Sequence, residues 1–234
     1  MYYPMYYFDP TYFLVIIGVV ICLLASAKMN STFSKYSKVR NHSGMTGREA
    51  AEQVLNRAGI YDVRLEHVSG NLTDHYDPRS KVLRLSDATY NSTSVAAMGV
   101  AAHECGHAIQ HATGYAPLKF RSTLVPVANF GSQIAWPLIF IGLIFSSNMS
   151  SIFLTAGIPA FSLAVLFQLV TLPVEFDASN RAIRILAGSG MLYEDEVRHT
   201  RKVLTAAAFT YVASAASAIL QLLRIVLIAY RRRV

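Results

Sequence analysis

The chain has 234 residues, 53% of them hydrophobic and only 15% charged, with a formal net charge of +7 and a mean hydropathy of +0.35. That composition lies outside the usual range of soluble globular domains and directs the reading to a membrane protein. The positive charges are scattered rather than gathered into a stripe with interleaved aromatics, so they fit anionic lipid headgroups and exclude a nucleic-acid partner.

Four stretches have the roughly 20 apolar residues that a helix needs to cross a hydrocarbon core: residues 11–27, 124–145, 151–173 and 204–230. The first has no basic residue before it and no convincing small-residue cleavage site before Lys28, so it reads as a retained anchor rather than a removed signal. Tyr2, Tyr3, Tyr6, Tyr7 and Tyr12 cluster ahead of it, as in an interfacial aromatic belt. Two cysteines, Cys22 and Cys105, offer no disulfide framework. The expected organisation is an aromatic leader and first span over 1–27, a polar region over 28–123 and a transmembrane hairpin over 124–173. A second polar region over 174–203 and a hydrophobic helix with a basic tail over 204–234 complete it. The fold class is a mainly α membrane protein with about four transmembrane helices and a small α+β domain.

Within the first polar region, Thr46 with Glu49 three positions on forms a capping box, and apolar residues at helical spacing run from there to Gly59. "YDVRLEHV" and "KVLRLSD" alternate apolar and polar residues and read as two strands around the turn-rich "SGNLTDHYDPRS". "SVAAMGVAAHECGHAIQHA" follows, rich in alanine, free of proline, with capping residues at Asn91 to Ser94 and a stop at Gly114. Further on, Pro173 favours a helix break before "VEFDASNRAIRILAGSG", and "YEDEVRHTRKV" begins the last long helix with acids in its first turn.

The alanine-rich helix carries His103, Glu104 and His107 in an H-E-x-x-H pattern. Four residues make slightly more than one turn, so both imidazoles project from one face toward one zinc ion, and Glu104 falls beside the water that zinc acidifies. Small residues Ala101, Ala102, Gly106 and Ala108 allow close packing around the motif. Two core histidines and an acid buried without a ligand would be costly.

A catalytic zinc needs a third protein ligand and an open position. His111 lies one turn further along the same face, but a third ligand eight residues from His103 strains a straight helix; it reads as a neighbour of the ligands, a substrate-facing group or polar surface. Thr113 stands where the metzincin pattern would place its third histidine. Glu175 is the better candidate, because two spans separate it from His107 and an even number of crossings returns the chain to the same side. The bland alternative for Glu175 is a first-turn acid favoured by the helix dipole, and Asp177, four residues before Arg181, has the spacing of an ordinary helix-surface pair.

The ordered set "DHYDPRSKVLRLS", "SVAAMGVAAHECGHAIQHA", "LPVEFDASNRA" and "KVLTAAAFTYVASA" resembles bacterial integral-membrane zinc metallopeptidases of the YugP type, distant relatives of the gluzincins that include HtpX and Ste24. The resemblance covers most of the chain. It implies a gluzincin-like peptidase domain, zinc as cofactor, a polypeptide substrate, His103, His107 and Glu175 as ligands and Glu104 as general base. In the wider HtpX and Ste24 pattern an aspartate four residues after the ligand glutamate orients a zinc histidine. Here that position is Ser179, so either its hydroxyl or Asp177 is left for the task. His199, Tyr193 and Arg198 are candidates for stabilising an oxyanion, and "KVLRLSD" is either an exposed edge for an extended peptide or an ordinary internal strand.

Lys28, Lys35, Lys38, Arg40 and Arg48 follow the first span, so the positive-inside rule places the N-terminus outside and the zinc helix at the cytoplasmic face of the bacterial cell membrane. Lys119, Arg121, Arg181 and Arg184 agree. Arg231, Arg232 and Arg233 conflict if the last helix crosses fully, and Arg224 must then snorkel or pair within the bundle.

Overall fold

The computed structural model describes residues 9–144 and 148–231, with the side chains of 148–151 excepted. Tyr2, Tyr3, Tyr6, Tyr7, Arg232, Arg233 and part of the "SSNMSS" connection lie outside the described residues. In chain order the elements are α1 (Tyr12–Tyr36), α2 (Gly47–Arg57), β1 (Arg64–Val68), β2 (His75–Asp77), β3 (Val82–Ser86), α3 (Val95–Ala112), α4 (Ala116–Ile144), α5 (Asn148–Gly188) and α6 (Glu194–Arg231). α1, α4, α5 and α6 are long and apolar enough to cross a membrane, and one small three-stranded sheet accompanies them. The protein is therefore a mainly α membrane protein with a small α+β portion.

The long helices overrun the apolar stretches that define them in sequence. α1 continues nine residues past residue 27, and α4 begins at Ala116 rather than 124. The break expected at Pro173 does not occur: α5 runs unbroken through it to Gly188. A proline leaves the carbonyl four residues back, here Leu169, without its helical partner and adds a steric clash. In spanning helices such a defect is tolerated because neighbouring groups make it good, and Pro126 and Pro137 lie inside α4 in the same way.

The chain divides into two compact units, and each long helix contributes residues to both. One comprises the described residues of Met1–Leu24, Thr123–Leu169 and Val212–Val234. Its core is Ala135, Ile139, Leu154, Phe161, Val165, Ile225 and Ala229. α1 and α6 touch closely there, since a Cβ on Gly18 would come within 2.7 Å of Ser217 Oγ. Near its end, Asp9 faces both Arg224 at 3.9 Å and Arg231 at 3.5 Å, and the Arg224 guanidinium stands 4.2 Å from the Tyr12 ring centroid. The intramembrane arginine is thus paired within the bundle rather than left to snorkel.

The second unit comprises Ala25–Ser122 and Val170–Tyr211. α2 starts at the capping box, with Thr46 Oγ1 accepting from the Glu49 amide at 3.2 Å and Glu49 Oε2 accepting from the Thr46 amide at 2.8 Å. The strand order is β1-β3-β2, with β1 parallel and β2 antiparallel to β3. β3, the "KVLRLSD" strand, is therefore the paired central strand and offers no edge; β2 is an edge. β2 itself lies in the stretch that reads as turn-rich in sequence. It has three residues and no alternating pattern, and side chains hold it: Asp74 accepts from the Ser86 amide and hydroxyl at 2.8 Å each, and Asp77 from the Arg79 amide at 2.9 Å and the Ser80 hydroxyl at 2.6 Å.

α3 packs against α2, β2 and β3. Ser94 caps it by accepting from the Ala97 amide at 3.1 Å, and its apolar residues Val95, Met98, Ala101, Ala102, Cys105 and Ala108 are buried. Burial pushes the Cys105 thiol well above its ordinary pKa, which keeps it an inert core residue. The approach of α5 to α3 depends on one missing side chain. A Cβ on Gly106 would stand 2.5 Å from the Ala178 carbonyl oxygen and 3.0 Å from the Ala178 Cα, backbone that cannot rotate away. Gly106→Ala is expected to cost about 1–3 kcal/mol by forcing the two helices apart; a thermal melt of the detergent-solubilised full chain that matches wild type would contradict this packing.

Candidate metal centre

The cluster forms where α3 meets the middle of α5. Helical spacing sends His103 and His107 off one face of α3, with ring centroids 4.8 Å apart and planes at 85°. Opposite them, α5 presents Glu175, whose Oε2 lies 3.3 Å from His103 Nε2 and 3.5 Å from His107 Nε2. One ligand atom from each of the three residues falls within 4.8 Å of the others. Glu175 is 3% exposed, and its Oε2 has no hydrogen-bond partner despite the two imidazole nitrogens beside it. A buried carboxylate oxygen left without a hydrogen is costly unless a cation completes its surroundings. The two carboxylate–imidazole separations suit such a cation: zinc–nitrogen and zinc–oxygen bonds of about 2.0–2.2 Å in a tetrahedron would place neighbouring donors roughly 3.3–3.5 Å apart.

Each imidazole is oriented by its other nitrogen. His103 Nδ1 lies 3.1 Å from Ser179 Oγ, so the serine at the position of the HtpX and Ste24 aspartate does meet a histidine of the cluster. His107 Nδ1 lies 3.1 Å from Gln110 Oε1. An amide oxygen only accepts, so His107 carries its hydrogen on Nδ1 and turns the Nε2 lone pair toward Glu175. Gln110 is fully buried and in turn donates to the Val174 carbonyl at 2.8 Å and to Asp177 Oδ2 at 2.9 Å, while Arg181 Nε donates to the same Asp177 oxygen at 2.6 Å. Asp177 therefore reaches His107 through Gln110, not directly. Burial pushes the His107 imidazole down, but its contact with Glu175 and the charges of Glu104 and Glu175 outweigh that and hold its pKa above the ordinary value.

Glu104 is buried and stands apart from the three converging donors. Its Oε2 accepts the Tyr76 amide of β2 at 3.1 Å, and its Oε1 has no hydrogen-bond partner among the described residues. The edge strand thus turns a backbone donor toward the motif glutamate. The Tyr76 hydroxyl meets His111 Nδ1 at 2.9 Å, and burial, with Asp62 and Asp77 nearby, pushes that phenol up to about 12, so it stays neutral. His111 is exposed surface beside the cluster and holds Tyr76 rather than joining the donors.

The three residues considered for an oxyanion have partners elsewhere. Tyr193 is exposed and stacks on His42 at 3.4 Å, Arg198 pairs with Glu194 at 2.8 Å, and His199 stacks on Tyr36 at 4.9 Å. None of those partners belongs to the cluster. Two other residues do reach it: Arg121, at the start of α4, lies 3.8 Å from Glu175 Oε1, and Tyr211 on α6 is within electrostatic reach of Glu175, Glu104 and Arg121. Sequence reading passes over both because each sits in or beside an apolar run and reads as a flanking charge or an ordinary span aromatic. Gln110 escapes it too, since a lone glutamine on a helix carries no motif.

A protein family described as "Putative neutral zinc metallopeptidase" matches residues 11–230. The chain belongs to this family. "Putative membrane protease YugP" of Bacillus subtilis (strain 168) is 47% identical over 216 residues, which cover 92% of this chain and 95% of the relative. No solved structure matches the chain. The family name indicates zinc, and the histidine–glutamate cluster is where this member can hold it.

Gln110→Leu is expected to leave the His107 N–H, the Val174 carbonyl and Asp177 each short of a partner. Denaturation of the chelator-treated protein should show a loss of about 1–3 kcal/mol or more, and an unchanged midpoint would mean the amide does not hold this network.

Proposed function

We propose that the protein is a membrane-embedded zinc-dependent endopeptidase that cuts membrane-associated or misfolded polypeptides, with His103, His107 and Glu175 as metal ligands and Glu104 as general base. The observation that carries the reading is the unsatisfied, buried Glu175 Oε2 facing two imidazole nitrogens at 3.3 and 3.5 Å. Zinc bound there would supply Lewis acidity, polarising the scissile carbonyl and acidifying the attacking water. Three protein donors leave one of four positions for solvent, as a hydrolytic site requires and a closed structural site does not.

The chain's own groups do the remaining work. The Tyr76 amide fixes one oxygen of Glu104, and the other accepts the proton of the attacking water. The same carboxylic acid then gives that proton to the departing amide nitrogen, so water and the peptide bond become an acid and an amine. Tyr211, whose hydroxyl is within electrostatic reach of Glu175 and Glu104, is the group assigned to donate toward the carbonyl oxygen as negative charge grows there. Ser179 and Gln110 keep the two imidazoles turned toward Glu175. The free edge of β2, beside Glu104, suits an extended peptide better than the central β3.

In detergent, Glu104→Gln should keep stoichiometric zinc and lose casein hydrolysis, whereas Glu175→Ala should lose tight zinc as well. Tyr211→Phe should keep zinc and lower kcat by about 10²-fold. The competing view, a non-catalytic protein with a structural zinc, predicts no zinc-dependent hydrolysis by wild type; tight zinc retained by Glu175→Ala would remove the third ligand.

The cluster is assigned to the cytoplasmic face, on the weight of Lys28, Lys35, Lys38, Arg40 and Arg48 after the first span. α6 is long enough for a full crossing, so the conflict at its basic end persists, moderated by Asp9 between Arg224 and Arg231. A cysteine replacing exposed Ser69 should resist an impermeant maleimide in intact cells and react after lysis; labelling in intact cells would invert the orientation.

A further inference from the structure

A groove of about 620 Å³ lies between the last turns of α1 and the first turns of α6, and no member of the metal cluster lines it. Its charged walls are Lys28 and Lys35 from α1 and Arg201 and Lys202 from α6, and no acidic residue lines it. Lys28, Arg201 and Lys202 make no ion pair among the described residues, and Lys35 has only the Tyr36 ring, 5.4 Å from its ammonium nitrogen. Four cations brought together without a counter-charge repel one another unless an anion from outside joins them. The floor is built rather than open: Thr32 and Tyr36 are 9% and 5% exposed.

Charge is concentrated toward one end of the groove, where Lys35, Arg201 and Lys202 lie, and Lys28 borders the apolar end. Lys28 is the first charged residue after the apolar run of α1, and Lys202 is the last before α6 stays free of charge until Arg224. Beyond Lys35, Arg201 and Lys202 the lining becomes Thr205, Ala206 and Phe209, with Lys28 level with them on α1, and the Phe209 ring is 58% exposed. The charged end therefore sits where both helices leave their apolar runs, and the apolar end continues onto the spans. An inorganic anion would use only the first part, and an acidic peptide would not need the second.

We propose that this groove is a binding site for an anionic phospholipid, with the phosphate among Lys28, Lys35, Arg201 and Lys202 and an acyl chain along Phe209. Each basic residue near a lipid surface contributes about a fivefold gain in affinity. Because α6 turns Phe209 to this groove and carries Tyr211 two residues further on, a lipid bound here packs against the helix that also reaches the metal cluster.

The test is binding of phosphatidylglycerol to the full chain in neutral detergent, read by native mass spectrometry against phosphatidylcholine. Wild type should retain one phosphatidylglycerol selectively. Lys28→Gln with Lys202→Gln should weaken it about 30-fold, while Lys38→Gln with Arg40→Gln, which removes the same charge outside the groove, should change it less than twofold. Phe209→Gln, with every charge kept, should also weaken binding. Equal retention of the two lipids, equal loss in both charge-matched pairs, or full displacement by millimolar inorganic phosphate or by a polyglutamate peptide would overturn the proposal. Zinc content and thermal midpoint, expected at wild-type values in all these variants, separate loss of the groove from loss of the fold.

Discussion

The arrangement around the candidate metal cluster follows from a single buried carboxylate. Glu175 sits 3% exposed with one oxygen unsatisfied, a condition that folding alone does not reward. Arg121 at 3.8 Å from the other oxygen offsets part of its charge, and two imidazoles face the rest. A neutral His107, its hydrogen held on Nδ1 by Gln110, turns a lone pair toward the carboxylate, an unfavourable pairing unless a proton or a cation lies between them. The raised His107 pKa is the proton solution; a divalent cation held by the same residues would be the other and would displace that proton.

Close approach of helices makes the convergence possible, and the supporting network makes it directional. Gly106, one residue before His107, lets the α5 backbone come against α3 at Ala178, three residues after Glu175 and one before Ser179. Gln110 then ties the same two helices by its amide, accepting from His107 and donating to Val174 and Asp177. Small residue and polar bridge are complementary: the first sets the distance between the helices and the second sets their rotation.

Much of this was legible in the sequence where local chemistry decides structure. The Thr46 capping box, the Ser94 cap and the four apolar runs each depend on neighbours in the chain, and each reappears as an element. The H-E-x-x-H spacing puts His103 and His107 on one helical face, and counting crossings brings Glu175 to the same place. What escaped is what tertiary contact decides. β2 exists because β3 and two aspartates hold it, Gln110 matters because Asp177 and Val174 lie opposite, and Pro173 fails to end α5 despite a strong local preference. Tyr193, Arg198 and His199 had suitable chemistry and followed the motif in sequence, but their partners lie among His42, Glu194 and Tyr36.

The unbroken course of α5 also bears on what can be cut. Glu175 comes two residues after the apolar run that ends at 173, about 3 Å along the helix axis, so covalent continuity holds it at the rim of its own span. Arg121 stands three residues before the run that begins at 124, again about one turn or less from the boundary, whereas Tyr211 lies seven residues inside the run of α6 that begins at 204. Under the proposed mechanism, a scissile carbonyl that reaches both Glu104 and Tyr211 would therefore come to the level where these apolar runs end. A short soluble peptide gains nothing from that position, whereas a polypeptide already held at the membrane surface arrives there without a further loss of translational freedom. Under the proposed function, the depth of the site, more than any side-chain pocket, would be the feature that selects membrane-associated substrates.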